Sequence, residues 1–275
     1  MIADPRSSIL GPRFSFWLPA TSLCWREVVR FYRQPSRLIG GLGSPLVFWL
    51  LIGSGLGSSF RHPGAPAAMN YLEYFFPGTL ALIVLFTAIF STVSIIEDRR
   101  EGFLQAVLVA PVSRTSVVLG KILGGTALAS AQGILFLVLS PAAGIRPSVA
   151  SVLLASVVVC LLAFALTGVG FLVAWPMESV QGFHSIMNLF LIPMWLLSGA
   201  LFPDAGAYAP IRWAMMLNPL SYGVEALRMA LYWEHWTWDH SAAWMVACLG
   251  VTVLFGTATL TASVLVASRP SRGGR

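Results

Sequence analysis

The sequence predicts an all-α, polytopic membrane protein with six transmembrane helices, and three observations support this. Hydrophobic residues make up 57% of the 275-residue chain and charged residues only 10%. Soluble domains contain about 45–50% apolar residues and about 25% charged residues. The apolar residues gather into long runs, and the mean hydropathy is +0.78. The basic residues lie mostly between or beyond these runs. Lipid is therefore the expected solvent for most of the chain.

The apolar runs are each about the 20 residues that a helix needs to cross a bilayer. We expect one transmembrane domain over residues 1–275. Its spans lie at about 38–57, 77–96, 117–140, 149–174, 183–202 and 242–266. The third span carries Lys121 near one end, where we expect its side chain to snorkel toward the interface.

The positive charges predict which side of the membrane each segment faces. With six spans, thirteen of the seventeen Lys and Arg residues fall on the side that holds both termini. Such an excess marks the cytoplasmic side, so we expect a bacterial cytoplasmic membrane protein with both termini in the cytoplasm. The net charge of +6 does not indicate nucleic-acid binding, because the Arg residues flank apolar spans. We expect them to contact membrane lipids instead.

The segment 13–37 has the pattern of an amphipathic helix. Arg26, Arg30, Arg33 and Arg37 share one helical face, and apolar and aromatic residues share another. This favours a helix in the membrane interface with its arginines among anionic headgroups. The alternative is a soluble amphipathic helix packed on a partner.

A dense charge block interrupts the apolar sequence after the second span. The five residues are Glu97, Asp98, Arg99, Arg100 and Glu101. We expect a cytoplasmic helix over 97–112 that ends at Pro111, with the acidic residues at its positive N-terminus. Phe103 and Val107 would form its apolar side. The alternative is a solvated loop that only fixes topology.

The connection 203–241 is rich in Tyr and Trp and has apolar stretches too short to span. Aromatic residues of this kind gather at membrane interfaces, so we expect an external re-entrant helical hairpin before the last span.

Motifs for catalysis and metal binding are absent. Gly120-Lys121 resembles a phosphate loop, but Thr115 and Ile122 occupy positions where that motif needs Gly and Ser or Thr. The spacing of His235 and His240 is poor for a metal site. No acidic residue lies deep in a span, which weakens an ion-coupled transport mechanism. We therefore expect no enzymatic activity and no catalytic residue, metal or bound cofactor.

Four stretches, in order along nearly the whole chain, resemble the permease subunits of the ABC transporter type-2 exporter family. YLEYFFPG (71–78) is similar to the family's entry to span two, and EDRREGFLQAVLVAPVSRTSVVLGK (97–121) resembles its cytoplasmic coupling segment. The stretch 193–203 looks like the exit of span five. NPLSYGVEALR (218–228) is similar to the motif of the external hairpin. The nodulation-type lipo-oligosaccharide and drug exporters look nearest.

The resemblance implies two copies of this chain with two ATPase subunits, which would bind ATP and Mg and drive export of an amphiphile such as a glycolipid, a lipid-linked saccharide or a drug. It implies that the first helix and the coupling segment contact the ATPase. The residues of this expected interface are Arg26, Arg30, Glu97, Asp98, Arg99, Arg100, Glu101, Gly102, Phe103 and Val107. The residues of the external hairpin motif are Asn218, Pro219, Tyr222, Glu225 and Arg228. The alternatives are an ion-coupled secondary transporter and a non-transporting membrane assembly factor.

Overall fold

The computed structural model describes residues 14–56, 70–203, 207–233 and 238–269, which form α-helices and no strand. The predicted all-α architecture is thereby confirmed. The helices are α1 (Phe14–Tyr32), α2 (Pro35–Leu56), α3 (Tyr71–Ser91), α4 (Val93–Arg100), α5 (Phe103–Val109), α6 (Arg114–Leu137), α7 (Val149–Ala174), α8 (Val180–Leu196), α9 (Ala209–Leu217), α10 (Pro219–Leu231) and α11 (Trp238–Ser268).

Each predicted span coincides with a helix, but the helices differ in length. Four segments of the described chain are long and apolar enough to cross a membrane, namely Tyr71–Arg100, Arg114–Leu137, Val149–Ala174 and Ala242–Ser268. The apolar part of α2 is the shorter segment Gly41–Gly55, and α8 has only 17 residues. The protein is therefore a multi-pass membrane protein, while the count of six spans stays a prediction.

Helix α3 forms the centre of the bundle, where it contacts α2, α6, α7, α8 and α10. Several of its large side chains are fully buried, among them Phe75, Phe76 and Ile83. On another side, α1 packs across α6. Close approach is possible there because α6 presents Gly120 and Gly124, where an added Cβ would lie 2.8 Å from the Ala20 carbonyl oxygen and 2.7 Å from the Glu27 Cβ.

The coupling segment differs from the single helix expected over 97–112. Residues 97–100 form the C-terminal end of α4, and a separate helix, α5, begins only at Phe103. The break falls at Gly102, whose φ of 78° lies in the left-handed region that other residues seldom adopt. The acidic residues consequently sit at the end of one helix and not at the positive start of another.

Contacts among distant segments show what lies at each end of the bundle. Arg114, at the start of α6, donates a 2.7 Å hydrogen bond to the Ala267 carbonyl at the end of α11. Ser116 beside it donates to the Phe16 carbonyl of α1 at 2.8 Å. The start of α1 and the end of α11 therefore lie at the same end of the bundle, together with the charge block.

Candidate functional site: an ionic cluster where α1, α4 and α6 meet

Asp98 is the centre of a cluster of charged side chains, and its own side chain is 0% exposed. Arg26 of α1 grips both carboxylate oxygens, at 2.8 and 2.9 Å. Arg30, one helical turn further along α1, donates to Oδ1 at 2.8 Å, and Lys121 of α6 donates to Oδ2. One carboxylate thus joins three helices.

Lys121 lies inside this junction and does not snorkel to the membrane interface as expected. Its ammonium also donates to Glu27 Oε1 at 2.5 Å and to the Ser94 hydroxyl at 3.3 Å. The side chain is only 3% exposed. Two carboxylates surround the Lys121 ammonium and supply the partners that a buried charge needs.

The outer part of the cluster is more open to solvent. Arg30 bridges from Asp98 to Glu97 at 2.9 Å and to Glu101 at 3.4 Å, and the Glu101 side chain is 59% exposed. Arg26 and Arg30 therefore face acidic groups of their own chain. The expectation that these two arginines lie among lipid headgroups is wrong.

The cluster resolves an electrostatic conflict at the end of α4. A helix C-terminus carries partial negative charge, so Glu97 and Asp98 are unfavourable there. The cations of α1 and α6 offset this unfavourable interaction. The charged form of Arg26 is stabilised in turn, since its hydrogen bond to Asp98 raises the pKa of its guanidinium. The mutual dependence ties α1 and α6 to α4.

Arg99 and Arg100 point the other way, to the turn between α7 and α8. Arg99 donates to the carbonyl of Met177 at 3.0 Å and also to that of Trp175. Arg100 donates to the Glu178 carbonyl at 2.9 Å. The charge block therefore fixes the position of this turn as well.

Helix α5 is held to α1 by an aromatic ring. The Arg26 guanidinium lies 3.8 Å from the centroid of the Phe103 ring. This is a cation–π interaction, in which the negative face of the ring attracts the positive charge. Phe103 and Val107 are partly buried and pack on the core. The outward side of α5 instead consists of Gln105, Ala106 and Val109, and Val109 is 87% exposed.

The predicted external hairpin contains α9 and α10 within the described residues 207–233. Asn218 joins them: its side chain accepts from the Leu220 N–H and donates to the Met194 carbonyl of α8 at 2.6 Å. Pro219 follows at the first position of α10, where its missing N–H costs nothing. The Tyr222 hydroxyl donates to the Met216 carbonyl at 2.9 Å.

Arg228 attaches this hairpin to the rest of the bundle. It pairs with Glu225 at 2.8 Å and donates to the Gly199 carbonyl at 3.0 Å. Its guanidinium also lies 4.5 Å from the centroid of the Tyr74 ring. The hairpin residues are thus brought together at the end of the bundle opposite the ionic cluster, where their contacts are internal.

Two groups of candidate residues remain. No set of three His, Cys, Asp and Glu side chains in the described part of the chain could hold a metal ion. His235, considered for that role from the sequence, lies outside the described residues.

Sequence reasoning missed Glu27 and Lys121 as members of the cluster. A signal for them existed, because Glu27 is the one acidic residue in segment 13–37 and Lys121 is the one lysine of the chain.

A central buried helix is surrounded by further apolar helices, with an ionic cluster at one end of the bundle and a hairpin fixed to the other end. This is the architecture of a polytopic membrane protein. The family model for the ABC-2 type transporter matches residues 20–232, which contain both the cluster and the hairpin. The chain belongs to the ABC-2 type transporter family, as the sequence resemblance indicated.

Individual relatives support the same assignment. The chain is 26% identical to the transport permease ycf38 of Cyanophora paradoxa, over 78% of this chain and 75% of that protein. It is 24% identical to nodulation protein J of Rhizobium meliloti (strain 1021), over 75% and 76%. A nodulation protein J from Rhizobium leguminosarum bv. trifolii is 26% identical over 77% and 82%. The chain is thus a membrane permease and resembles transporters, not enzymes.

Proposed function

We propose that this chain is the transmembrane subunit of an ATP-binding cassette exporter. It moves an amphiphilic substrate, such as a glycolipid, a lipid-linked saccharide or a drug, across the bacterial cytoplasmic membrane. A separate subunit binds ATP and Mg and hydrolyses the ATP. The family match over residues 20–232 is the observation that supports this most strongly.

The ionic cluster supplies a route for coupling. Helix α5 is joined through Phe103 and Arg26 to α1, and α1 is joined through Asp98 and Lys121 to α4 and α6. Helix α4 continues directly from the central helix α3. A force that an ATPase exerts on α5 therefore reaches two membrane helices through charged contacts that resist separation.

The functional unit is two copies of this chain with two ATPase subunits, and both termini are in the cytoplasm. The second copy covers α2 and α8, whose outward side chains include Phe48, Leu51, Leu189 and Phe190. These two helices are neighbours, since the centroids of the Phe48 and Trp195 rings are 5.8 Å apart. Membrane lipids surround the remaining apolar surface.

The test uses the chain together with the ABC ATPase encoded nearest to it in its genome. The two are co-expressed, purified and placed in liposomes made from the lipids of the source organism. We expect a complex of two plus two subunits whose ATP hydrolysis drives transfer of a fluorescent lipid analogue between leaflets. An ATPase variant with a defective phosphate loop is the control and should abolish transfer.

Transfer that persists with the defective ATPase and stops when an ion gradient is dissipated would instead show an ion-coupled transporter. A complex that hydrolyses ATP but transfers nothing, whatever the lipid or drug offered, would favour an assembly factor.

A further inference from the structure

We propose that α2 has two conformations, a continuous one and one bent at Pro45, and that Gln132 of α6 is the residue that stabilises the bent one. The stabilising contact is a hydrogen bond from the Gln132 amide to the carbonyl of Gly41. The role of this bend in transport rests on the proposed function, in which α2 is one of the two helices that the second copy covers. Gln132 is then a positioning residue for α2.

The side-chain amide of Gln132 is buried, and only one of its two polar atoms has a partner. Gln132 is 2% exposed, and its Oε1 accepts a hydrogen bond from the Thr87 hydroxyl of α3 at 2.5 Å. Its Nε2 has no hydrogen-bond partner among the residues that the structure describes. A buried donor without an acceptor destabilises the arrangement that contains it. An arrangement that supplies an acceptor is therefore favoured relative to this one.

The backbone of α2 passes directly beside this amide. A Cβ added at Gly41 would lie 3.1 Å from Oε1 and 3.5 Å from Nε2 of Gln132, and 3.6 Å from the Thr87 hydroxyl oxygen. With no side chain at Gly41, nothing stands between the peptide group of α2 and the amide. A bend of α2 at this level can therefore bring the Gly41 carbonyl to hydrogen-bond distance of Nε2.

Pro45 allows this particular carbonyl to turn toward Gln132. It lies within α2, four residues after Gly41. Proline has no N–H for the carbonyl four residues before it, and its ring crowds that carbonyl, so helices bend there. The preceding sequence IGGLGS (39–44) holds three glycines, and glycine weakens a helix interior. An amide donor without an acceptor thus faces the carbonyl that has lost its helical donor.

The half of α2 after Pro45 is fixed to the bundle, and this confines the bend. Trp49 is 2% exposed and donates from Nε1 to the Leu72 carbonyl of α3 at 3.2 Å. Its ring centroid is 5.7 Å from that of Phe76 and 5.7 Å from that of Phe136. The bend therefore changes the direction of the part of α2 before Pro45 relative to this fixed half.

The experiment follows the two conformations by fluorine NMR of the purified permease in detergent. The native cysteines are replaced, and a single cysteine at Ser44, an exposed position between Gly41 and Pro45, carries a trifluoromethyl label. We expect two resonances, whose areas give the two populations. Gln132→Leu is similar in size but has no donor, and it should lower the bent population about fivefold, the effect of one lost hydrogen bond.

Ser130→Ala is the matched control. Ser130 is also a buried polar residue of α6 whose hydroxyl has no partner in the described part of the chain, but it lies about 200° around the helix from Gln132. Its removal should leave the two populations within about twofold of wild type. The ratio of the resonances should also stay the same on tenfold dilution, because both arise within one chain.

Pro45→Ala distinguishes positioning from simple packing. It gives the Gly41 carbonyl a helical N–H again, so it should abolish the resonance of the bent state. Gln132→Leu should then change nothing further, whereas a residue that only packs would have the same effect in both backgrounds. The inference is overturned if the wild-type protein gives one resonance, if the ratio follows dilution, or if Gln132→Leu shifts the populations no more than Ser130→Ala does.

Transport separates this inference from the proposed function. In liposomes with the ATPase, Gln132→Leu and Pro45→Ala should assemble as wild type does but transfer fewer lipid analogues for each ATP hydrolysed. Unchanged transfer by both variants would show that transport does not use the bend and would overturn its assigned role. If the wild-type complex itself transfers nothing, the proposed function fails, while the two resonances of the permease still decide whether α2 bends.

Discussion

Replacing Asp98 with Asn tests whether the buried cluster holds α1, α4 and α6 together. The change keeps the size of the side chain but removes its charge and puts an N–H donor where an oxygen accepts. Three cations then lose their shared partner, in a place with no access to water. Breaking a buried ion pair by removing one member costs about 3–5 kcal/mol, and we expect the free energy of unfolding to fall by that amount.

Glu101→Gln is the matched control for this prediction. It removes one negative charge from the same cluster, but the Glu101 carboxylate is 59% exposed and its contact with Arg30 is 3.4 Å long. An exposed ion pair contributes about 0–1 kcal/mol, so Glu101→Gln should change little. The net charge of the protein is the same in both variants, and only burial distinguishes them.

The assay is equilibrium unfolding of the purified permease in mixed micelles of dodecyl maltoside and SDS, followed by tryptophan fluorescence. A double-mutant cycle with Lys121→Met measures the direct interaction, for which we expect a coupling of about 0.5–3 kcal/mol. The reasoning is refuted if Asp98→Asn and Glu101→Gln differ by less than about 1 kcal/mol, or if the coupling is zero.

Three further predictions concern packing and topology. Gly78→Ala should destabilise the protein by 1–3 kcal/mol, roughly the cost of overpacking, because the new Cβ would lie 2.6 Å from the Ala200 Cβ; Gly250→Ala, with open space around it, should be neutral or slightly stabilising in the same unfolding assay. Arg228→Leu should loosen the hairpin and speed tryptic cleavage at Arg212, and an unchanged rate would contradict its role as an anchor. The topology is tested with single cysteines in a background that lacks the native cysteines. A cysteine at Gly64 or Ala207 should react with an impermeant thiol reagent on intact cells, because both positions are predicted to be external. A cysteine at Ser113 should not react, because this position is predicted to be cytoplasmic, and its labelling would overturn the topology.

Much of the fold could be predicted because a bilayer leaves few choices. A backbone in hydrocarbon must satisfy its own hydrogen bonds, so a long apolar run such as 149–174 indicates a helix directly, and α7 matches it. The break at Gly102 was harder to predict from the sequence. Glycine permits a left-handed residue but does not require one, and the surrounding EDRREGFLQ reads equally well as one helix.

The composition of the cluster could be predicted only in part. The residues of the charge block could be selected from their density, and Arg26 and Arg30 came from the family resemblance. Their partners depend on tertiary contacts: Glu27 and Lys121 are 94 residues apart. Local periodicity carries no information at that separation, so Lys121 looked like an ordinary interfacial lysine. The roles of these residues toward an ATPase stay predictions.

The burial of Lys121 allows its chemical modification to report on movement at the ionic cluster. Lys121 is the one lysine in the sequence, so no other side chain of the sequence carries a primary amine. In the folded state that amine is enclosed by Glu27, Asp98 and Ser94, and its side chain is only 3% exposed, so acylating reagents do not reach it. Covalent modification at this single position would therefore record each opening of the junction between α1, α4 and α6. Mass spectrometry would give the fraction of chains modified, with and without nucleotide on the ATPase. The comparison would measure how often that junction opens during a transport cycle, and no engineered label is needed.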